Sequence, residues 1–132
     1  MSWTVELSVN IESIDAQHRR LVDLLTEMHD AAEQGAGKET IGKILTEGLR
    51  LTAEHFKYEE RLMREHGYAS YESHKKEHEQ LITSVKEMAR LLAAGKRVNL
   101  NDVEAYLKDW WLNHIKNVDK AFGAFLVSRG VT

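Results

Sequence analysis

Residues 55–63 read HFKYEERLM, with His55 and Glu59 four positions apart. On an α-helix, four steps of about 100° return to nearly the same side, so this imidazole and carboxylate share a face. YESHKKEH (71–78) repeats the spacing with His74 and His78, IDAQH (14–18) ends on His18, and His114 stands five residues before Asp119. Imidazoles and carboxylates on a buried face suit cation ligation or proton transfer; on a solvated face they need no explanation. The face decides, because burying such groups without partners is costly.

Glycines punctuate the chain. QGAGK (34–38), HGY (66–68) and AGK (94–96) are turn signals. They separate four stretches of helical periodicity, 12–34, 39–66, 70–94 and 101–128. In the second, Ile41, Ile44, Leu45, Leu51, His55, Phe56, Glu59, Leu62, Met63 and His66 form one apolar-rich stripe, with Lys43, Arg50, Glu54, Lys57, Arg61 and Arg64 opposite. His55 and Glu59 therefore look inward. The third stretch aligns Tyr71, His74, His78, Leu81, Val85, Ala89 and Leu92. The first aligns Ile14, His18, Val22, Leu25 and His29, and the fourth Val103, Leu107, Trp110, Trp111, His114, Val118 and Phe125. Four long helices joined by short turns predict an all-α fold, an up-down-up-down antiparallel four-helix bundle. It occupies residues 12–128 of a single domain, 1–132, behind an extended N-terminal arm, residues 1–11, anchored by Trp3. The absence of proline suits uninterrupted helices.

In an antiparallel pair, positions equidistant from the turn lie at one level. His18 and His55 centre on 36.5, inside QGAGK; the His55/Glu59 and His74/His78 pairs centre on 66.5, at Gly67; the His74/His78 and His114/Asp119 pairs centre near 96, beside Gly95. Three turns thus bring His18, His55, Glu59, His74, His78, His114 and Asp119 to one layer. A neutral imidazole offers one donor and one acceptor, and a carboxylate only accepts, so the seven do not satisfy one another between apolar walls. A multivalent cation resolves this. Seven ligands exceed one tetrahedral zinc site, and the imidazole-rich set does not suit magnesium or calcium. Two bridging carboxylates and five terminal imidazoles describe a pair of ions, one with three histidines and one with two, the poorer ion keeping an open position for a small diatomic ligand. His114 and Asp119 sit about 140° apart on an ideal helix, so either the carboxylate reaches sideways or the helix widens by a π-type turn. His29 reads as a packed, hydrogen-bonded side chain, and His66, before Gly67, as a helix-end cation.

The totals narrow the function. Net charge is −3 with a pI near 6.2, which argues against a nucleic-acid partner. No apolar run approaches the ~20 residues of a membrane span, and the N-terminal segment lacks a secretory pattern. No cysteine is present, which excludes thiolate ligands and disulfides. A cytoplasmic monomer is the expectation.

W…LSV near the start, IDAQH, HFKYEERLM, YESHKKEH and DWWLNHIKNVDKAFGAFL (109–126) together resemble the hemerythrin family, specifically its single-domain bacterial members. The resemblance covers nearly the whole chain. It implies two iron ions in a non-heme di-iron centre with an oxo or hydroxo bridge, and dioxygen as the ligand. By matching positions, His74, His78 and His114 hold one iron, His18 and His55 the other, and Glu59 and Asp119 bridge. It implies reversible oxygen binding for storage, buffering or delivery rather than an enzyme. The alternatives are an oxygen or redox sensor acting through a partner and a di-iron oxidase or a nitric-oxide- or peroxide-consuming enzyme. An oxygen-consuming enzyme or a reductase is the partner expected. Phe56, Trp111 and Ile115 are expected to line the oxygen pocket. Trp111 departs from the family's usual aliphatic residue, and Ala69 stands where relatives often have proline.

Overall fold

Helix α1 spans Glu12–Glu33, α2 Lys38–His66 and α3 Tyr71–Ala93 in the computed structural model, which describes residues 2–132. Each has one apolar face broken by histidines, and each ends at a glycine-containing turn foreseen from the sequence. At the α2 terminus Gly67 takes a left-handed φ of 67°, and the amide of Tyr68 returns to the Met63 carbonyl at 2.9 Å. A side chain is strained in that conformation, so glycine stops the helix cleanly. Helix α4 spans Leu100–His114, capped by Asn99, whose side chain accepts from the Asp102 amide at 3.2 Å. The rod then widens into a π turn over Ile115–Asp119 and resumes as α5, Lys120–Ser128. The rods pack antiparallel as a four-helix bundle, α2 between its chain neighbours and α1 against α4.

The π turn changes which residues face the core. A continuous 3.6-residue repeat predicts Val118 and Phe125 inside. Instead Ile115, Asp119, Phe122 and Leu126 are buried, while Val118 and Phe125 are half-buried. The five-residue turn lets Asp119 stand over His114, and the α-helical spacing restarts from Asp119 at 122, 123 and 126. The ideal-helix register therefore fails after His114.

Ile11, Ile14, Ile41, Leu81, Phe122 and Leu126 are wholly enclosed. Each such side chain contributes about 1.5–3 kcal/mol relative to exposure. The arm belongs to this core: Leu7, Val9 and Ile11 are buried, Val5–Leu7 form one 3₁₀ turn between extended Thr4 and Ser8, and Asn10 takes a left-handed φ of 63°. Asp15 ties it down, accepting from the Ser8 hydroxyl at 2.6 Å and the Val9 amide at 2.9 Å. Trp3 packs against the core beneath the Arg19 guanidinium, 5.1 Å from the ring. Where the arm crosses α5, a Cβ on Gly123 would sit 2.3 Å from the Val9 carbonyl oxygen. Only glycine admits that approach.

Candidate metal centre

Four rods deliver seven polar side chains to one height. Helix α1 supplies His18, α2 His55 and Glu59, α3 His74 and His78, α4 His114, and the π turn Asp119. All seven are at most 2% exposed. Among the described residues they are the buried titratable groups; the remaining buried polar side chain is Thr52.

Their inner atoms fall into two overlapping groups. Glu59, His74, His78, His114 and Asp119 each present a ligating atom, all within 4.8 Å of one another, and so do His18, His55, Glu59 and Asp119. Both carboxylates are common to the two groups. The ε-nitrogens face each other: His18 to His55 at 3.0 Å, His74 to His114 and His78 to His114 at 3.2 Å. Asp119 lies 3.1 Å from His18 and 3.0 Å from His74, and Glu59 lies 3.2 Å from His78. None of these approaches gives either carboxylate a well-formed hydrogen bond, and all four of their oxygens stay buried without one. Converging lone pairs with orphaned anionic oxygens suit cations lying between them. Two metal ions fit this donor set, and its preponderance of imidazole suits iron better than magnesium or calcium.

The protonation balance agrees with a negatively charged pit. Burial pulls the His55 pKa down to about 4, leaving a neutral imidazole with its lone pair free. Burial also acts against a charged His74, but the Asp119 and Glu59 carboxylates beside it push its pKa up to about 9. Burial would raise Asp119, yet the imidazoles of His114, His18 and His74 hold it well below the usual range.

The outer nitrogens of three histidines are also held. His55 Nδ1 lies 2.5 Å from Gln17 Oε1, His78 Nδ1 3.0 Å from Glu60 Oε2, and His114 Nδ1 3.1 Å from Glu77 Oε1. Sequence reading missed Gln17, Glu60 and Glu77. Their one signal was adjacency, since each neighbours an inward residue of its own helix. His29 lies outside the layer, half-exposed and bonded to Glu104 at 2.6 Å, and His66 remains at the end of α2.

The three aromatic and aliphatic neighbours are buried but not equivalent. Phe56 stacks flat on His78, centroids 3.7 Å apart, while Trp111 lies 6.1 Å from both His18 and His55. Ile115 opens the π turn at 1% exposure. Trp111 also lines an apolar cavity of about 40 Å³ among the helices, together with residues that include Leu21, Leu45, Gly48 and Leu81.

Residues 9–126 match the family model described as the hemerythrin HHE cation binding domain. The chain is 35% identical to a bacteriohemerythrin of Methylococcus capsulatus, covering 96% of each chain. It is 36% identical to one from Pseudomonas aeruginosa, covering 91% of this chain and 77% of that protein. A myohemerythrin of Sipunculus nudus is 28% identical over 89% of this chain and 86% of its own. A crystal structure of wild-type hemerythrin superposes with a TM-score of 0.89 at 35% identity, covering 96% of this chain and 97% of that one.

Proposed function

The chain belongs to the hemerythrin family, and from that premise we propose that it binds dioxygen reversibly at a pair of non-heme irons, for storage, local buffering or delivery. His74, His78 and His114 would hold one iron, His18 and His55 the other, with Glu59 and Asp119 available to both. The observation that carries this reading is the pair of overlapping ligand groups that share both carboxylates. Two ferrous ions together supply the two electrons on which reversible oxygen capture draws.

The protein's share is to bind, orient and keep water out. The two-histidine group has fewer protein donors, so the open position would belong there, on the side where Trp111 stands between His18 and His55 and the apolar cavity that it lines. Apolar walls favour entry of an uncharged diatomic and disfavour the water and protons that would drive irreversible oxidation. Binding rather than turnover is favoured by the residue inventory: the buried titratable groups among the described residues are already committed as ligands, and the neighbouring Glu60 and Glu77 are engaged by the outer nitrogens of His78 and His114. Among those residues no helix is long and apolar enough to cross a membrane.

Anaerobic reconstitution with ferrous iron tests the proposal. We expect two irons per chain, a visible absorption change on adding oxygen, and its reversal when oxygen is removed. One iron per chain, or a change that does not reverse, would overturn it.

A further inference from the structure

Gln17, Glu60 and Glu77 form a relay around the bundle. Gln17 on α1 reaches His55 on α2, Glu60 on α2 reaches His78 on α3, and Glu77 on α3 reaches His114 on α4. In each case the residue beside an inward side chain holds the outer nitrogen of a histidine on the next rod. A carboxylate only accepts, so Nδ1 of His78 and of His114 must carry the proton and donate it, which leaves each Nε2 lone pair facing inward. The Gln17 amide oxygen does the same for His55. Among the described residues no group accepts from Nδ1 of His18 or His74.

The relay is electrically uneven. Two of the three histidines in the His74/His78/His114 group are backed by anions. In the His18/His55 group the backing found among the described residues is the neutral Gln17 amide. A negative charge against Nδ1–H makes the imidazole more basic and stabilises ferric over ferrous iron. We propose that Gln17, Glu60 and Glu77 are positioning residues that fix the tautomers of His55, His78 and His114 and hold the two irons at unequal reduction potentials. The proposal rests on the di-iron reading above. The iron behind Glu60 and Glu77 is the more readily oxidised; the iron behind Gln17 and Trp111 is the more reluctant electron donor, which favours oxygen release over permanent oxidation. The Glu60 side chain is 16% exposed and that of Glu77 41%, so solvent screens Glu77 more and Glu60 exerts the larger effect.

The test uses isosteric variants of the iron-loaded protein: Glu60→Gln, Glu77→Gln and Gln17→Glu. Iron per chain, Mössbauer spectra during stepwise redox titration, and circular dichroism are recorded for each. Glu60→Gln and Glu77→Gln keep an acceptor oxygen, so a purely structural clasp is preserved in both. We expect both to retain two irons and to raise the potential of one iron only, Glu60→Gln by more. Gln17→Glu lowers the potential of the other iron and hastens its irreversible oxidation in air. A tenfold change in ferric over ferrous preference corresponds to about 59 mV. Unchanged potentials in the variants that fold and carry two irons would overturn the proposal, as would equal shifts at both irons. A wild-type protein with fewer than two irons would instead overturn the di-iron reading, and this inference with it.

Discussion

Asp119 shows how much can depend on a single carboxylate. It belongs to both ligand groups and approaches His18, His74 and His114 at 3.0–3.2 Å while being itself 1% exposed. Asp119→Asn keeps the shape but removes the charge and one anionic oxygen. We expect iron to fall from two per chain to one or none, with helical circular dichroism unchanged; a variant that still binds two irons would remove Asp119 from the bridge. Trp111 makes a different kind of contribution, through volume. Trp111→Leu would enlarge the cavity toward His18 and His55. Oxygen association and irreversible oxidation should both accelerate severalfold in stopped-flow and air-exposure measurements, and denaturant midpoints should show a loss of roughly 1–3 kcal/mol. Rates matching wild type would leave Trp111 as a packing residue and nothing more.

At the scale of elements, the arm and the π turn together fix the end of the bundle nearest Asp119. Gly123 lies one helical turn beyond Asp119 and accepts the Val9 carbonyl against its Cα. Gly123→Ala places a methyl group where neither backbone can yield easily. A loss of about 1–3 kcal/mol is expected for such overpacking, despite alanine's better helix propensity; thermal melts at or above the wild-type midpoint would show that the arm is not clamped there. Much of this architecture was legible in the sequence. Period and glycine turns placed the rods to within a residue or so, and the awkward five-residue step from His114 to Asp119 left a sideways carboxylate or a π turn, of which the structure has the π turn. The register beyond it was not legible, because a widened turn rotates everything after it, which put Phe122 and Leu126 inside in place of Val118 and Phe125. Gln17, Glu60 and Glu77 were hidden for another reason: on half-exposed flanks they read as ordinary solvated side chains, and only the fold reveals the histidine each one meets.

For the molecule as a whole, the metal layer is a liability until it is filled. Seven titratable groups occupy a core otherwise built from Ile, Leu, Val, Met and aromatic residues, and the metal-free chain must neutralise the carboxylates with protons borne by histidines. His74 is the clearest case, its pKa raised from 6.5 to about 9. A group raised on folding contributes stability that is fully present below its unfolded pKa and lost as pH climbs through the folded one. In the metal-free protein that contribution is therefore complete below about 6.5 and gone above about 9. Asp119 and Glu59 act in the opposite sense: both are held below their ordinary values, and their contribution disappears only as the solution becomes strongly acidic. A metal ion must displace the His74 proton to bind, so loading competes with protons below pH 9 and is relieved of that competition above it. Two linked outcomes are expected. Anaerobic ferrous loading at pH 7 should release protons, measurable by pH-stat. The gain in melting temperature on loading should be larger at pH 9 than at pH 6, because the metal-free reference weakens while the metal meets less competition. A gain that shrinks with rising pH, or loading without proton release, would mean that the cluster is held neutral by some means other than the protonated histidine.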